Sequence, residues 1–105
     1  MKIEIRGLDK LTPITQRRIK TTVKRLKGKY PLDRDLVLTF KECKCHGYAW
    51  TSKGKHRIEI KSDECKSCIV DSLIHEWAHF VDDGKAPHSN SWGIAYAKSY
   101  RAAIK

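Results

Sequence analysis

The stretch Ile69-Val70-Asp71-Ser72-Leu73-Ile74-His75-Glu76-Trp77-Ala78-His79-Phe80-Val81 decides how this chain is read. Ile69, Leu73, Trp77 and Val81 recur every four residues with Phe80 beside them, the spacing of one apolar helix face. His75 and His79 are also four apart, so they share a second face and both imidazoles can reach one ion. Glu76 lies about 100° round the helix from His75. That puts a carboxylate beside the histidine stripe, where it can take a proton from a water at the ion. Trp77 points the other way, toward the core. The segment is a helix with an apolar back and a ligating front, and its H-E-x-x-H spacing is that of a zinc site.

A catalytic zinc takes three protein ligands and keeps one position open. The third ligand is expected after the helix turns back. His88, past a stop at Gly84 and past Pro87, is the favoured candidate, with Asp82 and Asp83 as rivals. Asp83 and Asp71 stand one turn from His79 and His75. Each either accepts a hydrogen bond from the neighbouring imidazole or faces solvent.

Upstream, Ser62, Asp63 and Glu64 have the chemistry of a cap and first-turn acids for this helix. Thr12-Pro13 opens an earlier helix, whose inner face is Thr15, Ile19, Thr22, Val23 and Leu26 and whose stop is Gly28. Ile3 and Ile5 suggest a short opening strand. Leu36, Leu38 and Phe40 alternate with Val37 and Thr39 as in a strand. Residues 48–51 and 57–61 give two more, joined by hairpin-turn chemistry at Ser52-Lys53-Gly54-Lys55. Downstream, Ser89 or Asn90 caps a last helix that is expected to bury Trp92, Tyr96, Tyr100 and Ala103. The order is an N-terminal helix, a three-stranded antiparallel meander, the H-E-x-x-H helix, a loop and a C-terminal helix: an α+β fold.

The chain has 105 residues, 40% of them hydrophobic, which suits one small folded domain over 1–105 and excludes a disordered tail. The apolar runs are too short for a membrane span, and the N-terminal residues have no signal-peptide pattern, so a reducing cytoplasm is the expected compartment. There the four cysteines are expected as thiols or metal ligands. Cys43 and Cys45 form a C-x-C, and Cys65 and Cys68 a C-x-x-C. Together they can close a tetrahedral structural zinc site, with His46 as a substitute ligand; free thiols and a disulfide are the other readings. Cys68 lies two turns from His75, roughly 10 Å along the axis, too far to share the catalytic ion.

Lys and Arg outnumber Asp and Glu by 22 to 12, for a net charge of +10. Arg17, Arg18, Lys20, Lys24, Arg25 and Lys27 lie on the polar side of the first helix, with Lys29 just past it. Lys53, Lys55 and Arg57 add to them near Trp50 and His56. Such a surface attracts a phosphate backbone such as DNA, or simply keeps a small domain in solution.

Taken together, His75-Glu76-Trp77-Ala78-His79, His88-Ser89-Asn90-Ser91-Trp92, Gly93, Ala95-Tyr96-Ala97 and Tyr100-Arg101 resemble the SprT-like zinc metallopeptidases, the small bacterial and phage-encoded members in particular. The resemblance spans about residues 36 to 104. The family's third histidine is followed by glycine; here Ser89 stands in its place. The resemblance implies a minimal zincin-like fold and one catalytic zinc on His75, His79 and His88. It also implies Glu76 as general base and hydrolysis of peptide bonds, with DNA-associated proteins as a substrate class. Tyr96 or Tyr100 could donate to the oxyanion, or both could be core aromatics. Two other classes compete: a nucleic-acid-binding module with a structural zinc, and a module that binds a host factor. Glu76 favours the enzyme, because neither alternative needs a carboxylate there.

Overall fold

Thr12 and Pro13 start the first long helix as their chemistry predicts. Pro13 occupies the first turn, where its missing N–H costs nothing, and the Thr12 hydroxyl accepts from the Thr15 amide at 3.3 Å. In the computed structural model, which describes residues 1–82 and 90–104, this helix is α1, Pro13–Lys29. Its buried residues are the five predicted: Thr15, Ile19, Thr22, Val23 and Leu26. Gly28 does not stop it. The helix runs through Gly28 and ends at Tyr30, whose N–H donates to the Leu26 carbonyl at 2.7 Å.

Four strands form one mixed sheet: β1 (Ile3–Arg6), β2 (Leu36–Lys41), β3 (Gly47–Ser52) and β4 (Lys55–Lys61), in the order β1-β2-β4-β3. The opening strand is therefore present. The expected antiparallel meander is not: β1 and β2 are parallel, β2 pairs with β4 in parallel, and only β3 and β4 are antiparallel. Burial explains the order. His56, Ile58 and Ile60 of β4 are all buried, whereas no residue of β3 is fully buried. The arm whose inward row carries Ile58 and Ile60 takes the interior place, and the arm whose inward row ends in Gly47 and Ala49 takes the edge. The hairpin turn is as predicted. Lys53 and Gly54 both have positive φ (52° and 76°), the backbone of a two-residue turn whose twist matches its strands.

The register sets three rows on the core side of the sheet. Ile3, Leu36, His56 and Thr51 form one, Ile5, Leu38, Ile58 and Ala49 the next, and Phe40, Ile60 and Gly47 the last. The second helix, α2 (Lys66–Val81), packs against β3 and β4, and the third, α3 (Asn90–Ile104), packs against α2 and α1. Ile69, Leu73 and Trp77 of α2 are buried as expected, joined by Val70, Ile74 and Ala78, while Phe80 and Val81 are half-buried. Cys65, not Ser62 to Glu64, is the N-cap of α2, and Asp82 ends it. Gly84 lies outside the described residues.

The inner face of α3 differs from the expected one. Ala95, Ser99 and Ala103 are buried; Trp92 and Tyr96 are half-buried and Tyr100 is 43% exposed. Small side chains form the buried face of α3, and the aromatic stripe one position along runs from half-buried Trp92 and Tyr96 to exposed Tyr100. Among the described residues the architecture is α+β, with three long helices and a four-stranded sheet. No helix among the described residues is long and apolar enough to cross a membrane.

Trp77 joins these layers. It is fully buried, and its indole N–H donates to the Tyr30 carbonyl at the end of α1, at 3.0 Å. Trp77→Ala is expected to cost about 3–5 kcal/mol. Trp77→Phe keeps most of the volume but removes the donor, at about 1–3 kcal/mol. Urea denaturation measures both. A Trp77→Phe midpoint equal to the parent's would show that the indole N–H contributes nothing.

Candidate metal centre

Because Trp77 faces inward, the two histidines of α2 are turned toward α3 and Glu76 toward β3. His75, Glu76 and His79 each offer a donor atom, and these lie within 4.8 Å of one another. Two imidazoles and a carboxylate are a donor set suited to zinc and to other divalent first-row metals. The group can therefore hold a metal ion, and its chemistry alone does not fix which. His79 Nε2 stands 3.8 Å from Glu76 Oε1. Both histidines are half-buried, whereas Glu76 is buried.

Aromatic rings from α3 wall the histidines. Trp92 meets the His75 ring edge-on at 4.8 Å between centroids and stacks on His79 at 5.4 Å. Tyr96 meets His75 edge-on at 5.8 Å. The Tyr96 hydroxyl donates to Asp71 Oδ1. Burial, reinforced by that carboxylate, pushes the Tyr96 phenol well above its usual value and keeps it protonated. Asp71 is thus an exposed acceptor for Tyr96, and Tyr100 stacks outside Tyr96 at 6.2 Å. Helical spacing alone reads Trp92 as core, so its place as a wall of the histidines was not expected from periodicity.

Gly47 is the other residue that sequence reasoning missed. It is the first residue of β3, opposite Ile60, on the core side of the sheet. A Cβ built there would stand 3.1 Å from Glu76 Cγ and 3.3 Å from Glu76 Oε2. Only glycine leaves the carboxyl its present place without a shift. Oε2 thus packs against the strand, while Oε1 is the oxygen near His79. Burial at this position pushes the Glu76 carboxyl up to about 7.

The remaining predicted residues fall elsewhere. His88 and Asp83 lie outside the described residues. Asp82 is buried at the end of α2, its N–H donating to the Ala78 carbonyl at 2.9 Å. The four cysteines do not converge on one point. Among the described residues, His75, Glu76 and His79 are the only group of three or more candidate ligands this close together. Cys43 Sγ turns back to the Cys45 carbonyl at 3.1 Å, and His46 is engaged by Glu64. His56 is a buried structural residue. Its ring nitrogens meet Thr51 Oγ1 at 2.7 Å and Asp33 Oδ1 at 2.6 Å, and it stacks on Phe80. On α1, Arg17, Lys20, Lys24 and Lys27 are exposed. Arg18 and Arg25 are half-buried, and Arg25 donates to the Ala103 and Ile104 carbonyls at the end of α3.

Comparison with protein-family models, with curated proteins and with solved structures finds no match to this chain. The functional reading therefore rests on the site itself.

The buried carboxyl has a pH signature. Its folded pKa is raised, so the stability tied to its neutral form is full below pH 4.5 and is lost as pH rises through about 7. In chelator-treated protein, Glu76→Gln should match the parent below pH 4.5. Above pH 7 it should be more stable, by roughly 1–3 kcal/mol. Denaturation midpoints across that range test this; parallel curves for the two proteins would contradict a buried, strained carboxylate.

Proposed function

We propose that this chain is a zinc metallopeptidase, with His75, His79 and His88 holding zinc and Glu76 serving as general base. The observation that carries this reading is the placement of two imidazoles and one buried carboxyl on a single helix, with donor atoms within 4.8 Å. Zinc bound there would supply Lewis acidity toward a peptide carbonyl and lower the pKa of water.

The chain's own groups divide the remaining work. Glu76 Oε1, on the histidine side, takes the proton of the attacking water and returns one to the departing amine. Burial alone raises the Glu76 carboxyl, and a cation held by the neighbouring imidazoles would favour its charged, proton-accepting form. Trp92 shields the imidazoles from bulk water. The outer edge of β3 is unpaired in this sheet, so an extended peptide can add there as a further strand. Gly47 begins that strand against Glu76, which brings such a peptide to the base. The exposed cations of α1 add an affinity for polyanions, which suits substrates that are themselves bound to DNA.

The test is zinc content and proteolysis of unfolded casein and of DNA-binding proteins, with and without single-stranded DNA. Glu76→Gln should keep zinc and fold but lose about 10²–10⁴ in rate. His79→Ala should lose zinc, activity and thermal stability together. Gly47→Ala should keep zinc yet slow turnover about tenfold, because a few tenths of an ångström displace the base. If Glu76→Gln cleaves as fast as the parent, the hydrolytic reading is wrong.

A further inference from the structure

Outside the histidine group, the most organised reactive side chains stand where α2 begins. Cys65 is the helix N-cap, and its Sγ accepts from the Cys68 backbone N–H at 3.4 Å. The two sulfurs are 2.8 Å apart, and both residues are exposed. That separation already puts the sulfurs inside van der Waals contact. Closing by less than about 1 Å would reach the ~2.05 Å of a covalent S–S bond. Cys43, whose Sγ is turned to the Cys45 carbonyl, takes no part in this pair.

We infer that Cys65 and Cys68 form a thiol–disulfide exchange site, with Cys65 the attacking sulfur and Cys68 the resolving one. The asymmetry comes from the helix start. The Cys68 thiol and the amides of Cys68 and Ser67 donate toward Cys65 and hold its pKa below the usual thiol range. The positive end of the α2 dipole favours the same thiolate. Cys68 is shifted the opposite way, chiefly by its bond with Cys65, so it stays protonated until needed.

The substrate class is an accessible disulfide, R–S–S–R. The Cys65 thiolate attacks one sulfur, forms Cys65–S–S–R and expels RS⁻. Cys68 then loses its proton to the departing thiolate or to water and attacks the Cys65 sulfur, expelling the second RS⁻. Two protein thiols are oxidised to one disulfide while the external disulfide is reduced to two thiols, so the electrons balance without another reagent. Seven residues separate Cys68 from His75, two turns or about 10 Å, so this chemistry is separate from the metal centre.

The experiment uses the full chain. Substoichiometric iodoacetamide at neutral pH, followed by peptide mapping, should label Cys65 about tenfold faster than Cys68 or more, following thiolate fraction. Oxidised glutathione should convert the reduced chain to a form lacking two hydrogens and linked 65–68, and reduced glutathione should reverse this. Cys68→Ser should stop at the Cys65–glutathione mixed disulfide. Cys65→Ser should slow glutathione reaction at position 68 about tenfold. A Cys43→Ser, Cys45→Ser double variant should behave as the parent. Insulin reduction, run in parallel, separates protein disulfides from small ones as substrate; activity in either arm supports the site. Equal labelling of Cys65 and Cys68 would overturn it, as would cross-links dominated by Cys43 or Cys45. So would stoichiometric zinc that protects all four thiols until a chelator is added.

Discussion

The rotation of α2 about its own axis is fixed by Trp77, and the site follows from that rotation. The indole is fully buried and is tied to the Tyr30 carbonyl, so the helix cannot turn without losing both apolar burial and a buried hydrogen bond. With Trp77 locked inward, residues 75 and 79 must face α3, and residue 76 must face the sheet edge. The metal group is thus a geometric consequence of core packing. The half-turn between Trp77 and the histidines carries the information from core to surface.

Glu76 shows the cost of that arrangement. A carboxyl on the sheet-facing side of a helix has to be buried, and burial without a fixed cation disfavours its charge. Glycine stands opposite it and gives the side chain room. Gly47 lets the side chain lie flat against β3, so the carboxyl keeps one oxygen toward His79. A Cβ there would stand 3.1 Å from Glu76 Cγ, so the side chain would have to give by a few tenths of an ångström. The strain is held in electrostatics instead of in the backbone, and a bound cation would relieve it.

Much of this was legible from residue spacing. The helix faces of α1 and α2, the Thr12 cap, the hairpin turn and the His75, Glu76, His79 group all follow from local periodicity or local turn chemistry, which neighbouring residues alone determine. Strand order was not legible, because the choice between β3 and β4 for the interior position depends on pairing with β2, far away in the sequence, and not on local pattern. The face of α3 was misjudged for a similar reason. Periodicity marks the aromatic stripe as strongly as the small-residue stripe, and only close approach to α1 and α2 selects Ala95, Ser99 and Ala103. Gly47 was invisible because a glycine at a strand start reads as a turn residue, and its value appears only once the register sets it under Glu76.

The two ends of α2 have opposite electrostatic character, and the reactive residues are sorted accordingly. Unsatisfied N–H groups at the start of a helix favour anions, and unsatisfied carbonyls at its end favour cations. Cys65, the thiol held below its usual pKa, is the cap at the positive end. His79, one of the imidazoles able to hold a cation, is in the last turn. Exchanging them would put a thiolate against the carbonyl end and a cation against the amide end, each opposed by the helix field. A single helix, oriented once by Trp77, therefore carries both groups, and the direction of the chain decides which end takes which.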